Sequence, residues 1–309
     1  SLRGIDTHGI RLLPHYVKAI ELGRLNPKPD IKFSKTSKST GVLDADHTLG
    51  YAAGVLAMER AIELAESSGA GFVSVKNSSH CGALAYPSLK ASEKDMLGLG
   101  FTHATSRMKS PGSNKEFFGT NPLCFTAPME KEEPFCFDSS PTLIPFHKIF
   151  HYRESNETLP IGSAADIKGI ETLDPHEAIQ LLPIGDYKGF GWSMMVDILS
   201  GILSGMPVGK DISQMYGDLS QKRYLGHFFG CIRIDVFQPL EKFKSRLQNL
   251  AEEVRNQTKK DSKAKNMIPG DPEKLCMKDR IKNGIPISSS DLLNLNEIGL
   301  KYINTNFAN

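Results

Sequence analysis

The sequence predicts a mixed α/β fold, and three observations predict it. Short apolar runs with period-two alternation, which read as strands, are interleaved with longer runs whose apolar residues step by three and four, which read as helices. The chain has 309 residues, enough to bury a sizeable core in one large or two medium domains. Finally, the two patterns meet at Phe72–Tyr86, "FVSVKNSSHCGALAY". Phe72, Val73 and Val75 alternate as a strand, Asn77-Ser78-Ser79 breaks it, and a helical pattern follows from Ala83 to Lys94. His80 sits at that break. An imidazole at the carboxyl end of a strand, beside a helix start, can take or give a proton near neutral pH. It reads equally as a helix-start histidine bonded to a backbone carbonyl.

From the amino end, Asp6 or Thr7 is expected to cap a helix beginning near His8, with Leu12, Leu13, Tyr16, Val17 and Ile20 as its apolar face. His8, Arg11 and Tyr16 project from this segment. Asn26–Thr40 reads as a loop with room for one short strand, and Gly41–Gly50 as a strand ending in a turn. Tyr51–Ser67 is a strongly amphipathic helix that Ser68-Gly69-Ala70-Gly71 ends. Met96–Ala104 reads as a second strand and Thr105–Phe118 as a loop. In "FFGTNPLCF", Gly119 suits a special backbone angle, Asn121 a turn bond and Pro122 a fixed φ. Pro134–Thr142 is a short strand ending in Asp138-Ser139-Ser140, a carboxylate and two hydroxyls that can bind a sugar hydroxyl or cap a helix; capping is the simpler use.

Phe146–Asp174 has weak periodicity and reads as turn and loop. Gly185, Gly189 and Gly191 flank Lys188 before a long apolar helix that carries the sole tryptophan, Trp192. A Gly-rich turn opening a helix presents N–H groups and a positive dipole end to an anion. Leu225–Phe237 alternates as a strand with His227 at its entry, and Pro239–Gln257 is an amphipathic helix. Lys259–Lys265 reads as a basic loop. A further helix leads to an edge strand in "GIPIS", and Ser290 is expected to cap the last helix, with Leu292, Leu293, Leu295 and Ile298 inward.

Composition excludes several classes. Hydrophobic residues make up 39% and charged residues 23%, ordinary for a globular protein, and a net charge of +2 calls for neither nucleic acid nor an anionic membrane. No apolar run approaches the length of a membrane span. Cys81, Cys124, Cys136, Cys231 and Cys276 are odd in number and form no C-x-x-C pair. That fits reduced thiols in a cytoplasmic protein, not a disulfide or zinc framework. His147 and His151 have the i, i+4 spacing of metal ligands, but no third ligand accompanies them, so no metal is expected. There is no G-x-G-x-x-G dinucleotide fingerprint, no phosphate loop of the G-x-x-x-x-G-K-[ST] kind and no G-x-S-x-G elbow.

Six motifs in order, "GIDTHGI…HY", "NSSHCGA", "FGTNPLCF", "FDSS", "KGFGWSMMVDILSG" and "LGHFFGCI", resemble the malate/L-lactate dehydrogenase family of the non-Rossmann type. The resemblance covers essentially the whole chain. It implies an α+β fold with a helical, dimerising domain from both chain ends (1–71 and 200–309) and a central, mostly antiparallel sheet domain (72–199) that holds NAD or NADP. It implies a homodimer or higher homo-oligomer and a small 2-hydroxy acid substrate. His80 matches the general base. Thr7, His8, Arg11, Tyr16, Ala104 and Thr105 match the substrate pocket. Asn121, Pro122, Asp138, Ser139, Ser140, Lys188 and Gly189 match the cofactor side. The stretch Asp197–Leu219 points, within the family, to the branch that oxidises ureidoglycolate to oxalurate. Malate, lactate or sulfolactate oxidation, cyclic-imine reduction and an inactive binding relative are the alternatives.

Three departures stand out. Leu12 occupies the position of an arginine that many members carry, with Arg11 one place earlier. Ala104 and Thr105 stand where the ureidoglycolate branch has Ser-Asp. The sequence also begins inside the first motif, without the helical segment the resemblance implies before it.

Overall fold

The computed structural model describes residues 1–260 and 264–307. Its helices are α1 (Leu13–Glu21), α2 (Gly50–Ser68), α3 (Ala85–Ser92), α4 (Phe146–Ser155), α5 (Tyr187–Asp197), α6 (Leu240–Arg255), α7 (Asp271–Asn283) and α8 (Ser289–Ile303). Its strands are β1 (Lys32–Lys35), β2 (Thr40–Asp44), β3 (Ala70–Ser78), β4 (Met96–Thr102), β5 (Met108–Lys109), β6 (Glu116–Phe118), β7 (Leu123–Ala127), β8 (Phe135–Ser139), β9 (Ala164–Ala165), β10 (Gln180–Leu181) and β11 (Leu225–Arg233). The main sheet runs β1-β2-β3-β11-β4-β7-β8, and every neighbouring pair is antiparallel except β2 with β3. A small sheet, β6-β5-β10-β9, stands beside it.

The alternating runs become strands because one face of each is covered. α2 lies on β3 and β11, and α3 on β4 and β7. Between them Leu43, Met58, Val73, Val75, Leu84 and Phe229 form a dry core. Phe229 is wholly buried, and removing such a ring from water stabilises the fold by about 1.5–3 kcal/mol. α2 can approach this closely because its inward stripe is small: Gly50, Ala53, Gly54, Ala57 and Ala61 are all buried.

Several local expectations change. The amino-terminal helix starts at Leu13, not near His8. Short 3-10 turns cover Asp6–His8 and Ile10–Leu12, and Gly9 between them is extended. Asp6 caps nothing because Arg280 of α7 takes both of its carboxylate oxygens. The Thr7 hydroxyl pairs with His8 Nδ1 at 2.9 Å instead.

Phe146–Ser155 is a helix although its pattern is thin. Ile149 is fully buried and Phe146 and Tyr152 pack beside it, a three-residue step, over a separate cluster of Ile144, Leu159, Ala178 and Leu181. Arg153 donates to the carbonyls of Pro175 and Ala178, which fastens the helix to the following loop. The expected loop Thr105–Phe118 holds β5 and β6.

Ser288 rather than Ser290 caps α8, accepting from the Asp291 N–H, and Leu293 faces outward. The edge strand at Ile285–Ser288 does not form; Pro286 has no N–H to give a ladder. Part of the basic loop Lys259–Lys265 lies outside the described residues. Glu132, on the β7–β8 connection, accepts from Arg255 of α6 and Lys274 of α7, and Asp271 pairs with the same arginine. Among the described residues no helix is long and apolar enough to cross a membrane. Cys81, Cys124, Cys136 and Cys231 are buried free thiols.

Candidate active site

β3 ends at Ser78, in the middle of the main sheet, and delivers His80 to the sheet's edge. Behind it a fully buried hydrogen-bonded ladder crosses three strands. Ser78 of β3 meets His227 Nε2 at 2.8 Å, and His227 Nδ1 meets Thr102 of β4 at 2.7 Å. Burial, followed by the charge of His103, lowers the His227 pKa to about 3, so this imidazole stays neutral. At the other end of the turn, the start of α2 abuts the His80 backbone. A β-carbon at Gly50 would lie 2.3 Å from the Ser79 carbonyl oxygen and 2.5 Å from the His80 carbonyl. The glycine is therefore what lets α2 close on the turn.

His80 Nδ1 lies 2.7 Å from the Tyr16 hydroxyl of α1. Its ring stacks on His8, with centroids 5.4 Å apart and planes at 23°. The Tyr51 hydroxyl donates to the His8 carbonyl at 2.6 Å. The Tyr16 and Tyr51 rings meet edge-on, with centroids 5.9 Å apart. The tautomer that serves as a general base is the one in which His80 Nδ1–H donates to the Tyr16 oxygen. That leaves His80 Nε2 with a bare lone pair.

The surroundings keep that lone pair unprotonated. The His80 pKa is held well below the ordinary histidine value, first by burial and then by His8, Arg223, His15 and His227. Burial and His147 lower His8 to about 4; burial, Arg24 and Arg223 lower His15 to about 4. Burial raises Tyr16 far above a normal phenol, so it does not ionise. The permanent charges that press on these histidines are the guanidinium groups of Arg223 and Arg24, since His8, His15 and His227 are themselves held neutral. Cys81, next in sequence to His80, is pushed up to about 12 by burial and is an inert thiol.

Thr7, His8, Tyr16 and His80 thus come together. Arg11 is exposed, with its charge felt by His147 and Tyr216 at the same opening. Ala104 and Thr105 close the far side. Ala104 N–H donates to Asn121 Oδ1 at 2.9 Å, and Thr105 donates to the Ser213 carbonyl at 2.9 Å. Asn121 is completely buried with φ 27°, and its amide donates to Ser193 of α5 and to Asp197. It shapes the loop rather than facing outward. Pro122 bonds β4 through its carbonyl. Gly119 is needed for space and not for an unusual angle: a β-carbon there would lie 2.2 Å from the Ala104 carbonyl oxygen.

The remaining residues expected on the cofactor side form a second group across the 80–85 turn. Asp138 Oδ2 accepts from the Ala85 N–H at 2.8 Å, so it caps α3 in space. Ser139 and Ser140 follow, and the Pro141 carbonyl accepts from Ile184 N–H at 2.9 Å. A β-carbon at Gly189 would lie 2.8 Å from that same Pro141 oxygen. The close approach seats the first turn of α5, with exposed Lys188, against the Asp138–Ser140 strand end. A cation, two hydroxyls and a helix N-terminus on one rim are a donor set that suits a pyrophosphate-bearing nucleotide.

Sequence reading passed over five contributors. Arg24 donates to the carbonyls of Gln214, Met215, Asp218 and Gln221 and so pins the loop that carries Tyr216. Tyr216 meets His147 Nε2 at 3.1 Å and packs edge-on to His15. Tyr51, His15 and Arg223 complete the set. No sequence signal marks them, because each acts through a partner far along the chain. His147 and His151 do share a helix, but His147 faces Tyr216 and His151 faces Glu154; no three potential ligands converge among the described residues.

The sequence profile of the malate/L-lactate dehydrogenase family matches residues 1–296. The chain belongs to this family. It is 38% identical over 308 residues to a malate dehydrogenase of Pyrococcus abyssi, covering 96% of this chain and 84% of that one. It is 31% identical over 285 residues to the ureidoglycolate dehydrogenase (NAD(+)) of Escherichia coli K12, covering 92% and 82%. The crystal structure of malate dehydrogenase from Entamoeba histolytica superposes with a TM-score of 0.91 at 29% identity, covering 98% and 88%. Membership places the chain among the nicotinamide-dependent 2-hydroxy acid dehydrogenases, and the mixed α/β architecture without a glycine fingerprint is the family's own.

Proposed function

We propose that His80 is the general base of a dehydrogenase that oxidises a small 2-hydroxy acid. The observation that carries this is the buried His80 imidazole paired through Nδ1 with the Tyr16 hydroxyl, beside the buried guanidinium of Arg223, which leaves Nε2 for the substrate when Tyr16 accepts. The nicotinamide ring, when bound, supplies the hydride acceptor. Ser139, Ser140, Lys188 and the α5 N-terminus are the residues that would hold its nucleotide, and they belong equally to NAD and NADP. His80 Nε2 takes the substrate hydroxyl proton as the carbon–hydrogen bond breaks, because a free alkoxide is too basic to form first. Tyr16 keeps Nδ1–H engaged, so the resulting imidazolium is hydrogen-bonded on that side. The ring of His8, stacked on His80, keeps water from one face.

The guanidinium groups of Arg223 and of Arg11 at the opening favour an anionic substrate, and a dianion more than a monoanion. Malate is therefore the first substrate to test. Ureidoglycolate is the second reading, supported by the stretch Asp197–Leu219, which ends α5 and builds the loop that carries Tyr216 over the opening. Ala104 has no hydroxyl with which to meet a ureido group. The test is reduced-nicotinamide absorbance with malate, ureidoglycolate, lactate and sulfolactate against both cofactors, in wild type and His80→Ala. Turnover of one of these acids, lost by about a hundredfold or more in the variant with cofactor binding retained, is the expected result. Near-full turnover of His80→Ala refutes the assignment. The dimer expected for the family is part of the same proposal, and sedimentation of the purified chain tests it.

A further inference from the structure

Arg223 is buried to 4% exposure, and none of the ion pairs among the described residues involves it. Among the described residues only its Nη2 is bonded, to Thr105 Oγ1 at 2.9 Å and the Ser213 carbonyl at 2.8 Å. Its Nε is buried without a hydrogen-bond partner. A guanidinium taken from water with no anion beside it carries a large desolvation cost, and natural proteins bury such a charge where something will pair with it. The residue lies at the site, because Leu225, two residues on, pairs with Ser78 at the end of β3, two residues before His80, and its charge acts on His80, His15, Tyr16 and Tyr216. The candidate the sequence offers for the same task, Arg11, is exposed, where water weakens its pull on an anion. The position after it, Leu12, is apolar and buried.

We propose that Arg223 is the anchor for the substrate's 1-carboxylate, held in place by Thr105 and Ser213, so that the C2 hydroxyl is delivered to His80. This rests on the 2-hydroxy acid reading above. Its fixed planar fork suits a carboxylate better than a point charge does. The positioning hydroxyl of Thr105 orients that fork, which gives the buried threonine a use beyond packing.

The test compares an anion with its neutral twin. Oxamate and oxamide differ in one carboxylate against one carboxamide, and displacement by either can be followed through the fluorescence of bound reduced nicotinamide without turnover. Wild type should prefer oxamate by about tenfold or more, the size of one charge-assisted pair. Arg223→Met should erase that preference while oxamide binding and cofactor affinity stay within about twofold. If Arg223→Met does not fold, Arg223→Lys decides by the same ratio: a clear fall in the preference supports the anchor. A preference unchanged in the variant overturns it, and so does an equal loss of both ligands, the mark of a merely structural arginine. If wild type neither binds oxamate nor turns over any 2-hydroxy acid, the parent reading falls and takes the anchor with it.

Discussion

Replacing Tyr16 with Phe isolates the Tyr16–His80 pair. The variant keeps the ring that packs against Tyr51 and His15, and removes only the oxygen that His80 Nδ1–H reaches at 2.7 Å. Leaving that N–H without an acceptor inside the protein costs about 1–3 kcal/mol. The imidazole escapes by moving the proton to Nε2, the nitrogen that must be bare to act as base. The competent tautomer is then depleted by roughly 5- to 150-fold, and kcat/KM should fall by the same factor. Cofactor affinity and thermal midpoint should change little, because nothing else at the opening moves. The assay is steady-state turnover with the accepted 2-hydroxy acid, paired with nitrogen-15 shifts of the His80 ring, which read the tautomer directly. Tyr51→Phe should have a smaller effect, since it loses the bond to the His8 carbonyl and leaves the Tyr16 oxygen in place. If Tyr16→Phe keeps kcat/KM within twofold of wild type, or its His80 ring still carries the proton on Nδ1, the pair has no catalytic role.

Three further outcomes follow from geometry already described. Gly50→Ala places a methyl within 2.5 Å of the His80 carbonyl and should cost about 1–3 kcal/mol in urea unfolding, with turnover reduced because the turn must shift; unchanged stability and rate would show that the contact has slack. His227 has its folded pKa depressed to about 3, below its unfolded value, so its unfolded form binds a proton that the fold excludes. It should therefore contribute about 1.4 kcal/mol of stability loss for each unit that pH falls between about 6.5 and 3. Because His80, His8 and His15 titrate in the same sense, His227→Asn should reduce the slope over that window by about one proton's worth, and a slope identical to wild type would contradict it. Arg24→Met removes four donors to the 214–221 loop and should lower stability by about 2–3 kcal/mol and raise KM more than it lowers kcat. A KM equal to wild type would mean that the Tyr216 loop holds its place unaided.

Local features of the molecule were legible in the residues themselves. α2, β3 and α6 have strong periodicity, and the break at Asn77-Ser78-Ser79 placed His80 where the strand ends. Asp138 was readable as a cap because short acidic residues at strand ends have few other uses. Features that depend on distant partners were not. Asp6 looks like a cap until Arg280, at the opposite end of the chain, takes it. Ile149 alone makes too narrow a stripe to announce α4, which exists because Arg153 and the 159–181 segment close on it. Arg223 and Arg24 sit in polar, Gly-punctuated sequence that resembles any surface loop, and only burial distinguishes them. The six ordered motifs supplied the family, but not which of its substrates the opening accepts.

The place of β11 in the sheet has a consequence for how the chain is made. Its partners β3 and β4 are complete by residue 102, yet the strand that separates them begins at residue 225. During synthesis, β3 and β4 can pair with β2 and β7, but for well over a hundred residues the edges that will face β11 stay unpaired. At about 5–20 residues per second that is a wait of several seconds or more. Unpaired strand edges of this kind attract other chains. A ribosome that stalls before β11 therefore leaves a product with both flanking strands open, and such fragments should be sticky clients for chaperones rather than smaller versions of the enzyme.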